Sequence, residues 1–308
     1  MFKPLTQKGL GAFWVAAAAL LWSTDAVFRT LAIQSLAPAQ VVFIEHLICV
    51  GVLLLGLVFG KRKWFEKKPT ASEWVGLVIV GAGGSAAATV LFTLSFYYTN
   101  PSVAILLQKL QPVLVVLIAY LFLGERPRGK FYLWAALAVV AGIGVSFPGY
   151  HLGVEWKELT SHSVGALLAV SAAAIWAICT VVGKAVLKQV SPPQITFWRF
   201  VFGLAAMALI LTLQNMFSGL TGFTYPPKLL AALLYMALFP GLVSMLFYYR
   251  GLKRTPASLA TMVELVFPVS AVLLNYVLLD ARLAVSQIIC GVVLLWAITR
   301  LSLGSITE

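Results

Sequence analysis

The sequence predicts an all-α integral membrane protein of ten transmembrane helices arranged as two inverted five-helix repeats. Three observations predict it: a composition that no water-soluble surface can carry, ten apolar runs with short breaks between them, and a match of the chain's first half to its second. The 308 residues are 61% hydrophobic and 10% charged, against roughly 45–50% and about 25% in soluble domains. At about 20 apolar residues per span, this length holds ten helices and leaves no room for a soluble catalytic domain. The formal charge of +12, from 22 Lys and Arg against 10 Asp and Glu, is read as basic cytoplasmic loops rather than as a nucleic-acid surface. Cys49, Cys179 and Cys290 all fall inside apolar runs, an odd buried set that makes no disulfide framework. The histidines, His46, His151 and His162, are too scattered for a zinc site. No metal, no cofactor and no nucleic-acid partner is therefore expected.

The apolar runs, bounded by Pro, Gly or charge clusters, cover approximately 10–35, 38–59, 73–98, 101–123, 129–147, 163–189, 193–216, 228–250, 256–279 and 283–302. They are continuously apolar, which excludes barrel strands that alternate every second residue. The first follows Lys3 and Lys8 and is read as a retained span, because a later segment repeats its pattern. It carries Trp22, Asp25 and Arg29; the second carries Glu45 and His46 and ends in a Gly56-Leu-Val-Phe-Gly60 pattern. The third contains Gly81, Gly83 and Gly84 and ends near Tyr97 and Tyr98. The fourth contains Gln108, Lys109 and Pro112. In the second half, the sixth carries Trp176, the seventh Arg199, the eighth Pro240-Gly241 with Tyr248 and Tyr249, and the ninth Glu264 and Pro268. The four tyrosines lie at helix ends, where they are expected to anchor at the membrane interface.

Loop charges orient the chain. Sixteen Lys and Arg, among them Lys61, Arg62, Lys63, Arg126, Arg128, Lys253 and Arg254, fall on the side of the N-terminus, against Lys157, Lys228 and Arg282 on the other. This predicts both termini in the cytoplasm, residues 61–68 inside and 150–160 outside.

The self-match runs without gaps at an offset of 154, pairing Trp22 with Trp176, Pro38 with Pro192, Gln40 with Gln194 and Phe43 with Phe197. Phe96-Tyr97-Tyr98 then meets Phe247-Tyr248-Tyr249, and Ser102, Ala104, Pro112 and Tyr120 meet Ser258, Ala260, Pro268 and Tyr276. The expected halves are 1–149 and 150–308. Five helices per copy is odd, so the second copy enters from the opposite face.

The end of the fourth span, Pro112-Val-Leu-Val-Val-Leu-Ile-Ala-Tyr-Leu-Phe-Leu-Gly-Glu-Arg126, resembles the proline-to-Gly-Glu signature of the drug/metabolite transporter superfamily. The ten-helix, two-repeat plan is similar to its EamA-type members over essentially the whole chain. The second copy departs from the signature, reading Leu-Leu-Asp-Ala-Arg at 278–282. The resemblance implies a transporter, export from the cell, and a bacterial inner-membrane location, with no particular cargo.

Charges inside the spans point to a site. A central charge costs ~2.5–3.5 kcal/mol, so most of Asp25, Arg29, Glu45, His46, Lys109, Arg199 and Glu264 must pair, face water or reach an interface. Arg29 is expected to snorkel at the outer end of its helix, with Asp25 beside it at i,i+4. Glu45 and Lys109 enter from one face and Arg199 and Glu264 from the other, at roughly 10–12 Å by helix rise. The repeat maps Glu45 onto Arg199 and Lys109 next to Glu264, predicting one ion pair per half, Glu45–Lys109 and Arg199–Glu264. These are either bolts between helices or a charged cavity wall; His46 is a candidate relay. Pro112 and Pro268 free the carbonyls of the equivalent residues Gln108 and Glu264, predicting a broken helix in each half. Trp22 and Trp176, near the midplane, are expected to supply aromatic lining.

The function class expected is a secondary transporter working by alternating access, which exports a small polar or zwitterionic, amino-acid-like metabolite. Its candidate substrate-binding set is Trp22, Asp25, Gln108, Lys109, Trp176, Arg199 and Glu264, with any carboxylate nearer Lys109 and any amine nearer Glu264. The partners expected are the lipid bilayer and a small-molecule substrate, with proton coupling, exchange and uniport all open, and oligomeric state open too. An anionic-metabolite exchanger of the same fold is the alternative. No Walker loop appears, so ATP hydrolysis by this chain is not expected; a channel or an intramembrane enzyme is the rival class, the latter with no H-E-x-x-H or G-x-S-x-G to carry it.

Overall fold

The computed structural model describes residues 7–59, 65, 68–123, 130–147, 156–221, 225–255 and 257–304. Lys3, the basic residues at 61–63, 67, 126 and 128, the Gly124-Glu125-Arg126 end of the signature, Gly60, and residues 150–155 with His151 lie outside these. Among the described residues there are helices and no strand. In chain order they are α1 (Gln7–Ser23 and Asp25–Ala32), α2 (Pro38–Phe59), α3 (Ala71–Ser95), α4 (Pro101–Gln108 and Gln111–Leu123), α5 (Phe131–Ser146), α6 (Trp156–Val186), α7 (Pro192–Leu213), α8 (Pro227–Arg254), α9 (Ala257–Val263 and Val266–Leu279) and α10 (Val285–Gly304). Eight are long and apolar enough to cross a membrane; α5 and the second piece of α9 are shorter apolar helices.

Proline and polar side chains set the helix starts. Asn100 accepts from Ser102 N at 2.8 Å with Pro101 following, and Ser191 caps α7 ahead of Pro192. Thr70 and Glu73 form a reciprocal capping box on α3. Each device satisfies N–H groups that no preceding helical turn can reach.

The halves interlock instead of sitting side by side. α1 packs on α8 and α6 on α3; α4 packs on α6 and α9 on α1; α2 meets α7, and α5 meets α10. Each contact becomes its partner, or itself, when the five helices of one repeat are exchanged for those of the other. Lipid offers no hydrophobic gain for bringing helices together, so close packing of small residues holds them. Ala18, Ala19, Ala172 and Ala173, repeat equivalents on α1 and α6, are all fully buried. Two close glycine crossings are also equivalent. A Cβ on Gly11 would lie 2.2 Å from Thr255 Oγ1, and one on Gly165 would lie 2.9 Å from Thr99 Cβ. Only glycine allows that approach. Large apolar side chains point outward instead, among them Phe59, Leu133, Val140, Leu213 and Val292.

Five interruptions shape the interior. α1 breaks at Thr24, a break that no proline or glycine in the sequence announces. The hydroxyls of Ser23 and Thr24 donate back to the carbonyls of Leu20 (2.6 Å) and Leu21 (2.8 Å), and Tyr235 holds Thr24 at 3.0 Å. α4 breaks at Lys109 and Leu110, and α9 at Glu264 and Leu265, each just before its proline. Lys109, Leu110 and Leu265 bond three residues back, and Phe267 N recaptures the Glu264 carbonyl at 3.0 Å. α3 and α8 each contain a wide π-helical stretch, Ile79–Ala87 and Ala237–Val243. The first holds the Gly81, Gly83 and Gly84 cluster, the second Pro240-Gly241.

Candidate functional site

All five interruptions are near one central cavity of about 190 Å³. Residues from α1, α2, α3, α4, α6, α7, α8 and α9 line it; α5 and α10 contribute none among the described residues. The wall is an alternation of charge and aromatic surface. Arg29, Glu45, His46, Lys109, Arg199 and Glu264 are all buried from the outside and all reach it.

Three charges on the first half form a closed network. Arg29 Nε and Nη2 donate to the two oxygens of Asp25 at 2.6 and 2.9 Å. Nη2 and Nη1 donate to the two oxygens of Glu45 at 2.8 and 3.1 Å, and Nη1 also donates to Thr93 at 3.0 Å. A guanidinium has five N–H groups, and all five are used. Two carboxylates against one guanidinium leave the cluster one negative charge in surplus when both are ionised.

The second cluster spans the repeats. Lys109 Nζ lies 3.9 Å from Glu264 Oε2, an ion pair looser than a hydrogen bond, and 4.9 Å from the Phe267 ring centroid. The helix breaks put these side chains together: α4 and α9 each turn at that residue, so both project from irregular backbone into the cavity. Glu264 Oε1 and Gln108 Oε1 are buried with no hydrogen-bond partner among the described residues. Two acceptors at equivalent positions thus stand without donors.

Arg199 is the third cation. Its Nη1 donates to Tyr249 Oη at 3.0 Å, its Nε has no partner, and no carboxylate among the described residues lies within ion-pairing distance. The aromatic wall is fixed by its own contacts. Trp176 Nε1 donates to the Gly84 carbonyl at 2.8 Å, a group exposed by the wide turn of α3. Trp22 packs on Tyr248 and Phe267 at centroid distances of 5.2 and 6.5 Å.

The cavity brings together the whole candidate set named from sequence: Trp22, Asp25, Gln108, Lys109, Trp176, Arg199 and Glu264. The pairings differ from those expected. Glu45 is held by Arg29, not Lys109, and Glu264 faces Lys109, not Arg199. The reason is the interlocking of the halves: α9 packs beside α4 and α1, so the two broken helices meet each other across the repeats. Arg29 does not snorkel to an interface; it is 5% exposed, because a charge with two buried carboxylates in reach gains more from them than from the membrane edge. Asp25 does sit on it at i,i+4. His46 bonds the Val42 carbonyl at 2.7 Å and Ser85 Oγ at 2.8 Å, which fixes its ring against α3. Tyr97 and Tyr98 are partly exposed at a helix end, whereas Tyr248 and Tyr249 are buried and line the cavity, against the expectation of an interface position for all four. The signal that separates them is their offset along the helix: α8 continues through Arg254, one turn beyond the tyrosines, while α3 ends at Ser95, before its pair.

A cavity walled by charged and aromatic side chains between two inverted repeats, lined by helices that break beside it, marks a membrane protein built around one interior site. The sequence profile of the EamA-like transporter family matches residues 9–147 and 163–303, and the chain belongs to that family. It is 29% identical to the riboflavin transporter ImpX of Fusobacterium nucleatum, covering 95% of this chain and 97% of that one. It is 27% identical to an uncharacterized transporter of Archaeoglobus fulgidus, over 84% and 86% of the two chains. The uncharacterized inner membrane transporter YhbE of Escherichia coli matches at 25% over 62% of this chain and 59% of its own. A crystal structure superposes with a TM-score of 0.64 at 21% identity, over 96% of this chain and 98% of the other, a likeness of fold alone. The protein is an integral membrane transporter of this fold.

Proposed function

We propose that the chain is a secondary carrier that moves a small polar metabolite with a planar ring and N–H donors, by alternating access at the central cavity. The observation that carries this reading is the pair of orphaned acceptors. Gln108 Oε1 and Glu264 Oε1 are buried on the cavity wall, at equivalent helix breaks, and nothing among the described residues donates to either. A buried acceptor without a donor costs about 1–3 kcal/mol, and a solute carrying an amine or imide removes that cost on binding. Trp22, Trp176 and Phe267 offer flat faces for its ring. Two chemistries fit: an amino-acid-like zwitterion with an aromatic side chain, and a flavin, the cargo named for the Fusobacterium relative.

In this reading residues 1–149 and 150–308 each supply half of the site, the termini are cytoplasmic, and transport runs outward across a bacterial inner membrane. A proton on Glu264 is the other way to complete its shell, which makes exchange of solute for a proton the coupling proposed. The test is counterflow in proteoliposomes loaded with riboflavin or L-tryptophan. Saturable counterflow of one of them supports the carrier; its absence for both overturns the cargo class. Glu264→Gln should weaken binding of that solute more than it lowers the melting temperature. The reverse order, a lower melting temperature with normal affinity in the folded fraction, would make Glu264 a bolt between α4 and α9.

A further inference from the structure

We infer that Arg199 is the anchor for an ionised oxyanion, a carboxylate or phosphate, on the solute that enters the central cavity. This deepens the carrier reading by naming a charged group on the cargo, and the anion site itself stands without it.

The two repeats differ most where this residue sits. At the offset of 154, Glu45 corresponds to Arg199, Asp25 to Cys179 and Arg29 to Gly183. In the first half the three positions make a complete charge network, with five guanidinium N–H bonds to Asp25, Glu45 and Thr93. In the second half the charge at the α7 position is kept with its sign reversed, while the other two positions hold a thiol and a hydrogen atom. Arg199 is left 9% exposed, and its one hydrogen bond among the described residues goes to the Tyr249 hydroxyl. Isolating a buried cation costs several kcal/mol, and neither a phenol nor a thiol repays it.

The other two cations do not compete for this role. Arg29 has no free N–H, and Lys109 already faces Glu264. Arg199 alone among the three offers a free edge, and its planar fork matches a carboxylate or phosphate with two parallel bonds. Arg199 reaches the central cavity of about 190 Å³, which supplies the space for one. Gly84 stands against it, where a Cβ would lie 2.8 Å from Cys179 Sγ and 3.6 Å from Arg199 Nη1. That crossing of α3 on α6 is filled, so an oxyanion reaches the guanidinium from the cavity side, where Trp176 also lines the wall.

The test uses matched ligand pairs on the purified full chain: indoleacetate against tryptamine, and flavin mononucleotide against riboflavin. Binding is read from tryptophan fluorescence or calorimetry. At least one oxyanion should bind wild type about tenfold or more tightly than its partner. Arg199→Gln should abolish that preference, the oxyanion losing about tenfold or more affinity relative to its partner; Arg199→Lys, which keeps charge and loses the fork, should fall between. Indoleacetate alone points to a carboxylate cargo, and flavin mononucleotide alone to a phosphate. Should Arg199→Gln not fold, Cys179→Asp decides. It restores a carboxylate at the position equivalent to Asp25, so it should raise the melting temperature and abolish oxyanion preference. No oxyanion preference in wild type, or a preference that survives both substitutions, overturns the inference. Oxyanion binding without saturable counterflow would remove the carrier reading and leave the anchor standing; riboflavin counterflow with no oxyanion preference would do the opposite.

Discussion

Arg29→Met isolates the energetics of the closed network. The substitution keeps a long side chain and deletes five N–H bonds at once, stranding Glu45, which is 7% exposed, and Asp25. Removing one partner of a buried ion pair costs about 3–5 kcal/mol, most of it from the charge left behind. At roughly 2–4 °C per kcal/mol, the melting temperature should fall by on the order of 10 °C. Replacing all three charges, as Asp25→Asn, Arg29→Met and Glu45→Gln together, removes the stranded carboxylates and should recover most of the loss. With the partly exposed Cys290 replaced by Ser, a thiol-reactive fluorophore reads the transition, because the buried Cys49 and Cys179 become more available as the bundle opens. A triple variant that melts below Arg29→Met, or losses that simply add, would refute the claim that pairing sets the cost.

Other substitutions probe the remaining contacts. Trp176→Phe keeps a ring and loses the bond to the Gly84 carbonyl, so it should cost about 1 kcal/mol, against about 3–5 for Trp176→Ala; chemical denaturation of the pair checks the gap. Gly11→Ala and Gly165→Ala press a methyl into Thr255 and Thr99 and should each lower stability by about 1–3 kcal/mol. Thermal unfolding of both, with Gly51→Ala as control because nothing lies within 4 Å of its added methyl, measures it. Exchanging charges as Lys109→Glu with Glu264→Lys should melt above either single change, since a like-charge pair cannot both stay ionised at this separation; equal melting of all three would remove the cross-repeat pair.

Much of this protein is legible in the sequence itself. The spans announce themselves as continuous apolar runs, and the repeat shows in Trp22 with Trp176 and Pro112 with Pro268. Pro112 and Pro268 also mark the broken helices, because a proline's missing N–H and its crowding of the carbonyl four residues back are local effects. The charge partners are harder to read. An internal match says which positions are equivalent, and it invites pairing of charges within each half. Contact across halves depends on how α4 and α9 lie against each other, which no spacing along one chain contains. Arg29 escapes a linear reading for a related reason: a straight first helix puts it at the membrane edge, whereas the Ser23 and Thr24 hydroxyls turn α1 and bring Glu45 of α2 within reach.

The equivalent crossings at Gly11 and Gly165 have a consequence for direction. One closes α1 on the end of α8 at one face, the other closes α6 on the end of α3 at the opposite face, and each seats a glycine on a threonine. The two crossings share one construction, a glycine seated on a threonine, so this motif by itself marks neither face as the one that opens. In the carrier proposed above, such a scaffold sets no direction of its own, and the outward flow proposed there would follow from the gradient of cargo or of a coupled proton. Any preference for one face must then come from the unmatched parts of the two halves, and the largest of these is the lone guanidinium of Arg199 opposite the neutralised one of Arg29.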